Sequence, residues 1–397
     1  MNSLFHFCQG ESHKSTEKPC QDCAYAESTD SLSMAIVSDG HGGERYFRSQ
    51  FGSKYAVEIA KEAIRHFVTS MAESSLVRQG EKSVFAEKEF TSFSKETATD
   101  IQIDSNAHQA LMWLFSSIIS QWNEAIAKDA HERELTGWEN SHVEQKYKDE
   151  FLSNRANENA TFEKTYGCTL MAYVQTPSYW FAFHLGDGKC VMMQNQEEHL
   201  VCSQPIPWDE RCFLNKTTSM CDSQALDEFR YCYQGDGTFP LAVFLGSDGM
   251  DDSYGDGDNL NNFYIELFKI IIKKSNDDAK SELIKSLPKI SKVGSKDDMS
   301  VACIYEDSLL QRTYLLLTDY QKEKLEDQYQ SICIKVETLQ KKIASFGESE
   351  KLDKVQKINY NYACNDLKKS GKLLERLKKK MATLKGEVTK FKNKNKE

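Results

Sequence analysis

Proline is scarce in this sequence: six residues in 397, beside 20 glycines. That excludes a collagen-like or proline-rich chain. No apolar run reaches the roughly 18 residues that a membrane-spanning helix requires, so none is expected. Met1 to Gly10 lack a basic segment followed by an apolar one, so no secretory signal is expected and the chain reads as cytoplasmic. A zinc framework is missing as well. Of twelve cysteines, Cys20 and Cys23 form one Cys-x-x-Cys, but no second cysteine pair or histidine pair stands at zinc-ligand spacing. Cys168, Cys190 and Cys303 lie inside apolar runs and read as reduced, buried thiols.

What is present is enough for a globular chain. Hydrophobic residues make up 40% and aromatics 11%, which argues against wholesale disorder. The net charge of −10 is unevenly spread. From residue 351 to the end there are 15 Lys and Arg against 5 Asp and Glu, a net of +10; the remainder, 35 against 55, carries −20. An acidic body therefore bears a basic tail.

One stretch stands out: Val37-Ser38-Asp39-Gly40-His41-Gly42-Gly43. An apolar run, Met34 to Val37, delivers a carboxylate and an imidazole onto a glycine-rich turn ahead of a helical pattern. Glycine allows close backbone approach, and a carboxylate there suits a hard cation. Three later fragments also set an aspartate at the edge of a strand pattern: Leu185-Gly186-Asp187-Gly188, Leu245-Gly246-Ser247-Asp248-Gly249 and Ser295-Lys296-Asp297-Asp298-Met299. Asp256 and Asp258 fail the calcium-loop spacing and read as solvated loop.

In this order the four motifs resemble the metal-dependent serine/threonine protein phosphatase family, type 2C, over about Cys20 to Tyr305. The resemblance implies an α+β, four-layer αββα sandwich, two stacked antiparallel sheets flanked by helices; the residue pattern alone gives only mixed α and β. It also implies hydrolysis of phosphoserine and phosphothreonine in proteins by in-line attack of a water activated by two Mg²⁺ or Mn²⁺ ions. Asp39 would bridge the ions and the Gly40 carbonyl would ligate one. Asp248 and Asp297 would complete the other, and Asp22 would hold metal or its waters. Asp187, with Thr169 beside it, resembles the aspartate of a weak third site. Asp298 stands where the family usually has asparagine, so the ligand could shift to it. His41 would protonate the departing alkoxide, work for a group titrating near neutrality. Two departures stand out: Gln21 replaces a glutamate, and the loop lacks the arginine that holds the substrate phosphate. His13 and Lys14 are the cations expected to serve for it, with Lys18 a further candidate.

Along the chain, Leu4 to Glu27 read as strand, polar loop and strand. Helical stripes run through Ala56, Ala60, Ile64 and Phe67, and through Leu111, Phe115, Ile118, Trp122 and Ile126. Ala72 to Ser105 and Asp129 to Asn159 are polar and read as loops or solvated helix ends. His108, His131 and His142 read as surface residues. Tyr179 to Leu185 is a strand, with Lys189 to Gln194 as its hairpin partner. Glu197 to Gly237 reads as irregular cover for the cleft edge. The phosphatase domain is expected over 1–306. Residues 307–397 form a coiled-coil-like helical tail with heptad stripes (Leu325, Tyr329, Ile332, Val336, Leu339, Ile343, Phe346; then Leu374, Leu377, Met381, Leu384, Val388, Phe391), two helices joined near Gly347. An antiparallel hairpin within the chain is favoured by the short link. A phosphoprotein substrate and a protein partner on the coiled coil are expected, and nucleic acid and membrane are not. The competing reading, prompted by Gln21 and the missing arginine, is a catalytically silent scaffold that binds a phosphoprotein.

Overall fold

The computed structural model describes residues 1–73, 83–86, 89–157, 160–207, 209–212, 216–255, 257–347 and 352–394. Asp256, parts of 72–105 and 129–159, and residues 348–350 of the expected helix junction lie outside the described residues. The chain divides into two compact units, Met1–Asn195 with Val201–Leu310, and Gln196–Leu200 with Gln311–Glu397.

The first unit is built on two sheets. One contains, in spatial order, β1 (Asn2–Cys8), β11 (Met299–Tyr305), β10 (Ala242–Gly246), β7 (Lys189–Gln196) and β8 (His199–Ser203). The other contains β2 (Cys23–Ser28), β3 (Ser33–Ser38), β5 (Leu170–Gln175), β6 (Trp180–Leu185), β9 (Arg230–Gln234) and β4 (Thr91–Phe93). Neighbouring strands run antiparallel. The strands of the second sheet are apolar on both faces because both are covered. Ala35, Val37, Met171, Tyr173, Trp180 and Ala182 meet Cys190, Met192, Val243, Leu245, Ala302 and Ile304 from the first sheet. The alternate residues, among them Met34, Ile36, Ala172, Val174, Phe181 and Phe183, face α2 (Ser49–Glu73) and α4 (Asn106–Glu132). The side-chain period of two in a strand makes that partition automatic. A one-turn helix, α3 (Asp100–Ile103), leads into α4 and is closed by a capping box between Thr99 and Gln102. Helices α8 (Gly257–Lys273) and α9 (Asn276–Val293) cover the first sheet, Phe268 packing on Tyr305 with ring centroids 5.4 Å apart. The result is the α+β sandwich of two antiparallel sheets flanked by helices.

Several local expectations are corrected. The loop after β1 contains a short helix, α1 (Glu11–Ser15). Residues 189–194 are no hairpin partner of 179–185: β6 pairs with β5 and β9, while β7 pairs with β10. The turn at Gly186-Asp187-Gly188 therefore carries the chain from one sheet to the other. The span 197–237 contains β8 and β9, and the polar stretch before Ser105 contains β4, with Phe85 and Phe93 in the core. Polar 129–159 is no solvated end either. It forms α5 (Gly137–His142) and α6 (Gln145–Arg155), and Asp129, Glu139 and Lys148 are buried. His108 is half-buried, its Nδ1 3.0 Å from the Tyr231 hydroxyl.

The second unit contains α10 (Leu310–Ser345) and α11 (Lys354–Lys394). Tyr314 stacks on Phe391 at 3.9 Å, Phe346 meets Tyr360 at 6.0 Å, and Lys335 pairs with Asp366 at 3.9 Å. Pairing early residues of one helix with late residues of the other makes an antiparallel hairpin. Every residue of both heptad stripes is at least half-buried. Among the described residues, no helix is long and apolar enough to cross a membrane.

Candidate metal centre

The ends of five strands supply the site. Asp39 and Gly40 extend β3 beyond its last residue: Thr169 N–H donates to the Asp39 carbonyl (2.8 Å), Asp39 N–H donates to Thr169 Oγ1 (2.9 Å), and Gly40 forms a bridge with Cys168. A Cβ on Gly40 would lie 2.7 Å from the Gln21 carbonyl oxygen and 2.8 Å from that of Ser49, which is why glycine stands there. Asp248 opens α7 (Asp248–Tyr254) directly after β10, Asp297 precedes β11, and Asp22 precedes β2. Asp187 follows Gly186, whose φ of +132° is open to glycine and to few other residues. A cavity of about 1360 Å³ is lined by Asp39, Gly40, His41, Thr169, Asp187, Asp248 and Asp297 together with residues of the 211–228 segment.

The carboxylates repel one another. Burial holds the Asp39 carboxyl well above its usual range, and Asp248 and Asp22 add to the effect. Burial raises Asp248 too, although its hydrogen bond with Asp39 works the other way. Burial, then the charge of Asp248, pushes Asp187 up to about 6. Asp22 is 4% exposed and is raised by burial and then by Asp298, with the Ser247 and Ser300 hydroxyls opposing. Neither Asp22 oxygen meets hydrogen-bond geometry with a partner among the described residues. Buried, crowded, under-satisfied carboxylate oxygens fit hard divalent cations, which take oxygen ligands and offset the mutual repulsion.

Asp297 and Asp298 share one neighbour, His13, whose ring nitrogens lie 3.9 Å from Asp297 Oδ1 and 2.9 Å from Asp298 Oδ1. Asp297 lines the cavity. Asp298 is 2% exposed and accepts from the backbone N–H groups of Gly10 and Gln21, each at 2.6 Å, with His13 Nδ1 2.9 Å away. It ties the first loop to the strand below, and with His13 and Asp297 it brings ligand atoms within 4.8 Å of one another, so Asp298 stands beside Asp297 as a candidate ligand.

His41 is anchored through its backbone. Its N–H donates to the Gly167 carbonyl (3.1 Å), and its carbonyl accepts from Ser49 Oγ (3.0 Å) and Gln21 Nε2 (3.1 Å). Its Nε2 lies 2.6 Å from Ser219 Oγ, and its ring meets Tyr46 edge-on at 4.8 Å. Burial pushes the imidazole down to about 4, with Asp222 opposing, so the expectation of titration near neutrality does not hold for this environment. Gln21 is 1% exposed, and its amide N–H serves Ser49 and the His41 carbonyl.

Neither His13 nor Lys14, the expected phosphate-binding cations, lines the cavity, although His13 Nε2 lies 3.9 Å from Asp297 Oδ1. His13 packs against Asp298, and Lys14, on the solvated side of α1, pairs with Glu11 at 3.9 Å. Lys18 is the ammonium at the glycine turn: its Nζ donates to the Gly42 carbonyl at 2.6 Å, in the field of Asp297, Asp298 and Asp39. Glu17, at φ +52°, turns the chain to bring it there. Residue pattern also missed Ser219, Lys164, Arg211 and Lys216, which line the cavity from segments without motif or periodicity.

A profile described as protein phosphatase 2C matches residues 9–287. No curated protein matches the sequence. Similar solved structures include a bacterial serine phosphatase (14% identity, 77% of this chain and 98% of that one, TM-score 0.42). A C. elegans sex determining protein also matches (15%, 80% and 67%, 0.43). So does a catalytic domain of the serine/threonine protein phosphatase PstP described in complex with two manganese ions (13%, 77% and 98%, 0.40).

Proposed function

Because the chain belongs to the protein phosphatase 2C family and is a protein serine/threonine phosphatase, we propose that its carboxylate cluster holds two divalent cations, Mg²⁺ or Mn²⁺, and serves the hydrolysis of phosphoserine and phosphothreonine by water. The observation that carries this reading is the mutual crowding of Asp39, Asp248 and Asp22, with both Asp22 oxygens buried and lacking hydrogen-bond geometry. Asp39 and the Gly40 carbonyl would hold the pair, with Asp248 and Asp297 on one ion and Asp22 behind. Asp187, with Thr169 beside it, is the candidate for a third, weaker position. When bound, the cations would neutralise phosphoryl oxygens and make a water acidic enough to attack.

The remaining work belongs to the chain. His41, as the imidazolium, gives its proton to the departing serine or threonine oxygen and is left as neutral imidazole. Burial disfavours that proton, and the anionic phosphoryl group entering the cleft favours it again. Ser219 and Tyr46 hold the ring in place. Lys18 donates one hydrogen bond to Gly42 and keeps two N–H donors for a phosphoryl oxygen, acting as a point charge where the family's arginine would grip with a fork. The tail hairpin binds a protein partner; Lys354–Lys394 carries 13 Lys and Arg against 3 Asp and Glu, which fits an acidic surface.

The test is hydrolysis of a phosphothreonine peptide with Mn²⁺, with Mg²⁺ and with excess EDTA, beside Asp39→Asn. Turnover that needs metal and is lost in the variant supports the proposal. Folded, metal-loaded protein without turnover favours the silent scaffold, which Gln21 in place of a glutamate and the missing arginine support.

A further inference from the structure

Arg48 is wholly buried, yet it is a charged residue outside the cavity. Its guanidinium meets six acceptors. Nε and Nη2 reach the two Glu139 oxygens (3.0 and 3.3 Å). Nη1 reaches Asp129 Oδ1 (3.4 Å) and the Tyr166 hydroxyl (3.1 Å), and Nη2 reaches the carbonyls of Arg133 (3.2 Å) and Glu134 (3.0 Å). The Tyr166 hydroxyl in turn donates to Asp129 Oδ1 at 2.7 Å. Glu139 is fixed independently, since it closes a capping box with Thr136 at the start of α5.

The residues next to Arg48 and Tyr166 in the chain hold His41, one through its side-chain hydroxyl and one through its backbone carbonyl. Ser49, adjacent to Arg48, donates to the His41 carbonyl, and Gly167, adjacent to Tyr166, accepts the His41 N–H. The two segments are also joined to each other. Arg48 N–H donates to the Thr165 carbonyl (3.1 Å), and a Cβ on Gly52 would lie 1.8 Å from the Tyr166 carbonyl oxygen. The N–H and carbonyl of His41 are therefore each held by a residue adjacent in the chain to one buried polar cluster, with Gln21 Nε2 a second donor to the carbonyl. Such clusters are poor sources of stability, because the desolvation of their charges offsets most of the attraction. A fully satisfied one does fix a single geometry.

We propose that Arg48, with Glu139, Asp129 and Tyr166, is a positioning device for His41, supplied by the 129–155 segment and acting on proton delivery to the leaving group. This rests on the reading of His41 as the proton donor, and the experiment separates the two. A threonine leaving group needs protonation, whereas p-nitrophenolate leaves without it. The metal-loaded full chain is assayed on a phosphothreonine peptide and on p-nitrophenyl phosphate. The variants are Arg48→Met, Glu139→Gln, Tyr166→Phe and His41→Asn, each also followed by thermal unfolding, and the double variant Tyr166→Phe/His41→Asn.

The expected result is a kcat loss at least tenfold larger on the peptide than on p-nitrophenyl phosphate for His41→Asn. The same direction of bias, smaller, is expected for Arg48→Met, Glu139→Gln and Tyr166→Phe, with Tyr166→Phe adding nothing once His41 is gone. If Arg48→Met does not fold, Glu139→Gln and Tyr166→Phe, which keep size and shape, carry the test. An equal loss on both substrates, or no loss, in those variants while His41→Asn keeps its bias overturns the inference alone. No bias in His41→Asn itself overturns the proton-donor reading and the inference with it.

Discussion

Asp39 and Asp22 are destabilising neighbours in the metal-free protein, because burial and like charges act on both. Asp39→Asn should raise the melting temperature of the metal-free protein, by about 2 °C or more, and should abolish the further rise that Mn²⁺ gives the parent. Calorimetry with and without EDTA checks both; a variant that melts below the parent in EDTA would refute the crowding. Four of the carboxylates at the cavity were legible because each sits at the edge of an apolar run, at Asp39, Asp187, Asp248 and Asp297. Lys18 was harder to single out. Its approach depends on the positive φ at Glu17 and on a hydrogen bond to Gly42, 24 residues away, neither of which leaves a pattern in the sequence.

At the level of elements, α2 and the strand entry at Tyr166 and Gly167 touch through backbone. Gly52 is the fourth residue of α2, where alanine gains at most about 1 kcal/mol in propensity. The added Cβ would stand 1.8 Å from a carbonyl oxygen, and overpacking costs about 1–3 kcal/mol when side chains can yield. Here the obstacle is backbone, so Gly52→Ala should destabilise, and denaturant unfolding reads the sign. The cluster beside it is pH-sensitive. Burial alone would raise the Asp129 carboxyl, but hydrogen bonds from Arg133, Tyr166 and Tyr55 hold it below its ordinary value. A depressed folded pKa stabilises above the unfolded value and is lost as pH falls through the folded one. Asp129→Asn should therefore destabilise by about 3 kcal/mol at pH 7, and the gap to the parent should close in acid as pH falls below the ordinary carboxylate range. A constant gap would contradict the assignment. Strand period and the two helix stripes made the sandwich's main elements readable. The buried cluster was not, since Asp129 and Glu139 lie in a stretch whose composition is that of a solvated surface.

For the whole molecule, the tail's two helices meet each other within the chain through contacts such as Tyr314 on Phe391 and Phe346 on Tyr360, and the residues of both heptad stripes are at least half-buried. Both stripes are already covered within the chain, and the apolar side chains left exposed on the two helices, among them Ile334, Ile358 and Tyr362, stand apart from them, so light scattering at micromolar concentration should give the mass of one chain. A firm dimer that dissociates on deletion of 311–397 would contradict this. The hairpin was foreseeable from the heptads and short link, whereas the passage of β6 to β7 between sheets was not: a glycine-aspartate-glycine turn reads the same whether the strands pair or part.

The central claim is that the carboxylate cluster is a working two-cation site, and Mn²⁺ stoichiometry measured with turnover in the same samples tests it most directly. Titration calorimetry should give two strong equivalents per chain for the parent. Hydrolysis of the phosphothreonine peptide should rise in step with the second, and Asp39→Asn and Asp248→Asn should lose both the binding and, by about 100-fold or more, the rate. Two bound Mn²⁺ without turnover, or turnover indifferent to EDTA and to both variants, would contradict the account.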